Sequence, residues 1–228
     1  MAGRKRQRRE AARMGVLLRV ERELWRRGLT RVAGVDEVGV GPLAGPVVAA
    51  AVILPDGFRL RGVDDSKRVP AARREELAAR IREGALGLGV GVVGVTDIDR
   101  LNIYRAALEA MRRAVLALPI RPEHVIVDAR HVPGLSIPQT SLIAGDRRSY
   151  SVAAASIVAK VARDRMMGQL DALYPWYGFC RNMGYGTPEH LTAIDRYGPC
   201  PIHRRSFAPV REIPLPGMSL RPQVQAAH

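Results

Sequence analysis

The apolar residues of this chain come in short β-branched runs set between longer helical segments, and no other feature constrains its fold as much. Residues 31–35 and 46–54 are apolar, bounded by glycine and proline, and read as strands. Residues 86–95 alternate glycine with valine and leucine, which predicts a strand that another element approaches closely. Residues 124–128 form a short buried strand. Residues 71–83 are amphipathic and helical, and residues 97–118 predict one long helix capped by Thr96 or Asp97. Residues 149–173 form an alanine-rich helix that Ser149 can cap. Thr187-Pro188-Glu189 opens a last short helix, with threonine as N-cap and proline at the first helical position. The expected fold class is α/β, a mixed β-sheet flanked by helices.

With 228 residues and 47% apolar content, the chain suits one globular domain with small appendages. Its net charge of +14 attracts polyanions, so nucleic acid is the first partner to consider. A solvated basic surface would carry the same charge. Residues 1–31 hold eleven basic residues and three glutamates, 11 − 3 = +8 of that excess. The expected organisation is a partly disordered basic arm at 1–30, a globular body at 31–210 and a loose proline-rich tail at 211–228. Within the arm, Val16, Leu17, Val20 and Leu24 fall on one face of a potential arginine-rich helix. Cys180 and Cys200 make neither a disulfide framework nor a zinc quartet. No stretch approaches the ~20 apolar residues of a membrane span. A cytoplasmic monomer with no membrane partner is expected.

Acids are the minority here, and their placement is informative. Asp36 and Glu37 follow the run 32–35, Asp128 follows 125–127, and Asp146 follows 142–145. Each stands where an apolar segment leaves the core, and strand ends are where ligand sites form in α/β sheets. Acids gathered side by side raise one another's pKa unless a cation joins them. Hard oxygen ligands of this kind suit Mg²⁺ or Mn²⁺. For any one acid alone, a strand-end cap or an arginine partner is the simpler reading. The glycine-rich stretch 39–46 lacks the spacing of a Walker loop. It is either a tight turn or a place where a nucleic-acid backbone meets main-chain N–H groups.

Longer blocks narrow the choice. The run from Gly34-Val35-Asp36-Glu37 through Gly39-Val40-Gly41-Pro42 to Val52 resembles the opening signature of the bacterial ribonuclease HII family. Asp65-Ser66-Lys67 is similar to that family's next block. Gly145-Asp146, Ser149, Ser151 and residues 153–165 resemble its central helix. Gly184-Tyr185-Gly186-Thr187, His190 and residues 203–207 resemble its C-terminal blocks. The resemblance covers roughly residues 31–210, in order. It implies a ribonuclease H-like fold with a C-terminal helical part. It assigns catalysis and metal binding to Asp36, Glu37, Asp128 and Asp146, and substrate contacts to Gly39, Val40, Gly41, Ser66, Lys67, Ser149, Lys160, Tyr185, His190 and Arg204. Two positions depart from the pattern: Val40 and Met183 stand where the family usually carries a basic residue. Main-chain contacts at Gly39 and Gly41 survive a valine, whereas a side-chain phosphate contact does not.

The activity so implied is cleavage of the RNA strand of RNA/DNA hybrids, and of DNA 5′ to embedded ribonucleotides. Two Mg²⁺ or Mn²⁺ ions ~3.5–4 Å apart would bind the attacking water and the leaving 3′-oxygen. Asp36 would bridge them, Glu37 and Asp128 would hold one, and Asp146 the other or its water. Tyr185 would pack on the sugar next to the ribonucleotide. Two readings compete: a non-catalytic basic nucleic-acid binder, which has no use for the strand-end acids, and another two-metal nuclease, indifferent to the 2′-OH.

Overall fold

A computed structural model describes residues 11–213. Its centre is a five-stranded sheet in the order β3-β2-β1-β4-β5. β1 (Val32–Val38) pairs antiparallel with β2 (Val47–Ile53), which pairs antiparallel with β3 (Gly87–Val93). On its other side β1 runs parallel to β4 (His124–Asp128), and β4 parallel to β5 (Gln139–Leu142). The sheet is therefore mixed, with its two parallel central strands ending at the same edge.

Helices cover both faces, and glycine sets how closely they approach. α1 (Arg19–Arg26), α2 (Ala71–Gly84), α3 (Val95–Leu101) and α4 (Ile103–Leu116) precede the long α5 (Tyr150–Leu173). A Cβ at Gly89 or Gly91 would collide with the α4 backbone at Ala114 or Ala110, which explains the glycine alternation of β3. A Cβ at Gly34 would strike the first turn of α5 at Ser151, so β1 can touch that turn directly. Ser149 caps α5 by accepting from the Val152 N–H, as its position predicts, a cap worth about 1 kcal/mol. α6 (Phe179–Asn182) and α7 (Pro188–Tyr197) build the C-terminal helical part around Leu43, Met167, Tyr177, Phe179 and Ile194.

Three expectations change. The helix expected over 97–118 is two helices. Asn102 takes the left-handed φ of 70° between them and accepts the Arg105 N–H, while Gly94 rather than Thr96 or Asp97 starts the first. The apolar spacing continues across the break, so it left no trace. β5 was not foreseen, because an edge strand reading Gln-Thr-Ser-Leu offers no apolar run. The arm forms the helix its apolar spacing suggests where it is described, but with a shifted buried face. Residues 11–17 are helical and lead into α1, and Leu17, Leu18 and Leu24 are buried in the core, with Leu18 taking the place expected of the exposed Val16. Residues 1–10 of the arm and 214–228 of the tail lie outside the described residues. Among the described residues, no helix is long and apolar enough to cross a membrane.

Candidate active site

Parallel pairing brings the first acids together. Val35 is in register with Val127, so the next residues, Asp36, still paired with Ala50 of β2, and Asp128, the last of β4, stand side by side. Asp36 is buried, while Glu37 and Asp128 are half-buried. The Glu37 N–H donates to Asp36 Oδ1 at 2.8 Å, which fixes that carboxylate against its own backbone. The Gly145 N–H donates to Asp128 Oδ1 at 2.6 Å. That bond ties the turn at Gly145–Arg147, and with it Asp146, to the end of β4. The sequence had isolated these four acids separately, and the sheet edge gathers them.

Their electrostatics is that of a site short of cations. Burial, then the Glu37 charge, pushes the Asp36 carboxyl well above the usual range. Burial and the Asp128 charge raise Glu37, while Arg130 and Lys67 oppose that rise. Burial, then the charges of Asp65 and Asp128, raise Asp146. Glu37 Oε2 is buried with no hydrogen-bond partner, an arrangement that costs free energy unless a ligand completes it. The donor set is all oxygen, which fits Mg²⁺ or Mn²⁺. Among the described residues no three potential ligands converge closely enough to hold an ion alone.

The expected contact residues divide by exposure. Lys67 is exposed and faces Glu37 and Asp146 electrostatically. Gly41 and Tyr185 are exposed and adjacent: a Cβ at Gly41 would lie 3.6 Å from Tyr185 Cε1. Val40 is half-buried against the α4 side of the core. Ser66 is buried and receives the Ser156 hydroxyl at 2.9 Å, and Ser156 in turn steadies Asp36. Lys160 is held by Asp164.

Ser149, His190 and Arg204 are fully buried and internally paired, which makes them supports of the site rather than its surface. The Ser149 hydroxyl donates to Glu21 at 2.6 Å. His190 Nδ1 donates to the Tyr185 carbonyl at 2.7 Å, and its Nε2 meets His203 Nε2 at 3.0 Å. Burial holds both imidazoles below their ordinary pKa, His203 down to about 4, so the pair is neutral. Arg204 spends its guanidinium on the carbonyls of the glycine loop.

Sequence reasoning missed several neighbours. Asp65 is buried beside Asp146. Burial raises its carboxyl, but the Arg147 guanidinium at 3.0 Å and the Lys67 N–H at 3.0 Å outweigh that and hold it below the usual range. It stood in the Asp65-Ser66-Lys67 block and could have been found there. Arg130, stacked 4.4 Å from the Tyr104 ring centre beside the acids, left no signal, and Arg163, buried in α5, stood within the block 153–165 without being singled out, because only the fold turns them to the site.

Known proteins align with this geometry. The family model described as Ribonuclease HII matches residues 33–210. Ribonuclease HII of Geobacillus thermodenitrificans is 61% identical over 196 residues, covering 86% of this chain and 75% of the relative. Ribonuclease HII of Moorella thermoacetica is 57% identical over 198 residues, covering 87% and 96%. The crystal structure of ribonuclease H2 from Pyrococcus horikoshii superposes with a TM-score of 0.69 at 29% identity, covering 79% of this chain and 95% of that one. A PCNA:RNase HII complex from Archaeoglobus fulgidus gives 0.65 at 29%, covering 76% and 91%.

Proposed function

The chain belongs to the ribonuclease HII family and is an endoribonuclease acting on RNA/DNA hybrids, and from that premise we propose that it also cuts 5′ of ribonucleotides embedded in duplex DNA, leaving a 5′-phosphate and a 3′-hydroxyl. Asp36, Glu37, Asp128 and Asp146 would hold divalent cations, Mg²⁺ or Mn²⁺, two during the cut. Bound there, such ions supply an activated water and a counter-charge for the leaving 3′-oxygen.

The chain's own groups do the rest. Bonds from the Glu37 and Gly145 amides occupy one oxygen each of Asp36 and Asp128, which orients the remaining oxygens without consuming them. The exposed Lys67 ammonium, on the same rim as the acids, can meet a phosphate oxygen as a compact point charge. Discrimination of the sugar falls to the amides at Gly39–Gly41 and to the ring of Tyr185, because the 2′-OH is the group that separates RNA from DNA. Residues 31–210 act as the catalytic unit, and the enzyme works as a cytoplasmic monomer on hybrids and ribonucleotide-containing DNA.

The observation that carries this reading is the unpartnered Glu37 Oε2 among crowded acids, at a strand edge facing an aromatic-flanked glycine loop. The test is a DNA duplex with one embedded ribonucleotide, set beside an all-DNA duplex, with and without Mg²⁺ or Mn²⁺. Cleavage at the ribonucleotide alone, and only with the cation, is expected. Binding without cleavage would favour a basic binder, and cutting of the all-DNA duplex a nuclease blind to the 2′-OH.

A further inference from the structure

Two arginines lie completely buried beneath the glycine loop, and among the described residues neither forms an ion pair with a carboxylate. Arg163, from the middle of α5, donates through Nε to the Pro46 carbonyl at 3.0 Å, through Nη1 to Met183 at 3.0 Å and through Nη2 to Ala44 at 3.2 Å. Arg204 donates through Nε to Gly45 at 3.0 Å, through Nη1 to Val40 at 3.0 Å and through Nη2 to Gly39 at 2.5 Å. An unpaired buried charge is costly, so a fold keeps one only where its donors are fully used. Here main-chain carbonyls of the loop, together with that of Met183, take that role, and the planar fork of each guanidinium fixes their directions.

The same loop leaves its donors free. Among the described residues, the N–H groups of Gly39, Val40 and Gly41 meet no protein acceptor. Gly39 holds a φ of 90°, and a Cβ there would collide with Arg163, so the residue is fitted to the guanidinium beneath it. Arg163 also reaches across to Met183, and the Leu43 N–H donates to the Gly184 carbonyl at 2.8 Å. The loop and the segment carrying Tyr185 are thus fastened to each other through one buried cation.

We propose that Arg163 and Arg204 are positioning residues: they hold the carbonyls of the loop at 39–46 inward, present its amides outward at a fixed distance from the Tyr185 ring, and so set the preference for a ribonucleotide over a deoxyribonucleotide. This rests on the ribonuclease reading above, and it assigns sugar selectivity to groups that never touch the substrate. Burial, then the neighbouring Arg163 charge, pushes Arg204 down to about 9, so its fork remains charged at neutral pH. Lysine at either position keeps the charge and loses the fork, which makes Arg204→Lys the informative change.

The test is equilibrium binding by the full chain in Ca²⁺, comparing a duplex with one ribonucleotide to the same duplex in all-DNA form. Wild type should prefer the ribonucleotide. Arg204→Lys and Arg163→Lys, each checked for wild-type melting, should lose about tenfold of that preference, the scale of one misplaced hydrogen-bonded contact. Affinity for the all-DNA duplex should stay unchanged, which a generally loosened protein would not show. A folded lysine variant with full preference overturns the cradle and leaves the ribonuclease reading standing. No preference in wild type overturns both. If both variants fail to fold, ¹⁵N relaxation on wild type decides: amides of Gly39 and Gly41 as rigid as β1 are expected, with order parameters near ~0.85, and values below ~0.6 overturn the proposal.

Discussion

At the ends of β1 and β4 the fold crowds acids that have few partners, whereas under the glycine loop it buries two arginines of which every nitrogen donates to a carbonyl. Asp36, Glu37 and Asp146 are raised by burial and by one another, and an oxygen of Glu37 is left unbonded. Arg163 and Arg204 are more deeply buried, yet each of their nitrogens donates to a carbonyl. The first region is unfinished until something positive arrives. The second is complete and holds a shape. Charge left uncompensated points to ligand binding, and charge compensated by the backbone points to positioning.

The largest effect should follow from removing a ligand in the unfinished region. Asp128→Asn keeps the Gly145 bond available, because an amide oxygen still accepts, but it supplies a poor ligand to a hard cation. Cleavage should fall by about a thousandfold, roughly 4 kcal/mol of barrier, with melting unchanged. A variant that cut near the wild-type rate in Mg²⁺ would remove Asp128 from the metal set.

Stability should divide the two kinds of buried charge next. Asp36, Glu37 and Asp146 bind their protons more tightly when folded, so their contribution is fully present below the ordinary carboxylate range and is lost as pH rises through the raised values. Above those values they repel, and Mg²⁺ at about a hundred times its Kd should add about 2.7 kcal/mol. That gain should shrink as the pH is lowered through those raised values and the acids take up protons. Asp36→Asn should melt higher than wild type in divalent-free buffer. Glu21→Gln should melt lower, by about 1–2 kcal/mol, because Glu21 Oε1 accepts from the Ser149 and Ser151 hydroxyls and the Ser151 N–H, although its Oε2 is unpartnered. Equal and opposite shifts are not required, but the same sign for both would break the comparison.

The acid region was far more legible in the sequence than the cradle. Each of the four acids ends an apolar run, and strand-end placement survives any detail of packing. The elements 31–35, 46–54, 124–128 and 149–173 were legible for the same reason: period and composition are local. What failed was non-local. Asn102 breaks a helix whose apolar spacing never falters, and β5 is defined by its neighbour β4 rather than by its own residues. Arg163 sits in an alanine-rich helix of which most faces are buried, so no spacing marks it as different from a surface arginine. Ser149 and His190 were expected at the substrate because their blocks resemble a family's. Their burial assigns them to Glu21 and to Tyr185 instead.

Tyr185 offers the finest and smallest test, since it stands on the finished side yet is exposed beside the glycine loop. Its ring is 45% exposed although large aromatic side chains favour burial, and it lies against Gly41. The His190 bond to its carbonyl fixes its backbone, so truncating the side chain leaves the loop in place. Tyr185→Ala removes both the apolar face that would meet a deoxyribose and the hydroxyl that would meet the 2′-OH. On a single-ribonucleotide duplex, KM should rise about tenfold, or about 1.4 kcal/mol, with melting little changed. Tyr185→Phe keeps the face and should cost only a few-fold. In both variants the Mg²⁺ concentration for half-maximal rate should match wild type, because the ring belongs to the positioning side and not to the acids. A shifted Mg²⁺ dependence would mean that Tyr185 acts on the metal site. An Ala variant fully active on that junction would move sugar reading wholly to the amides at Gly39–Gly41, and the cradle beneath them would then carry the discrimination alone.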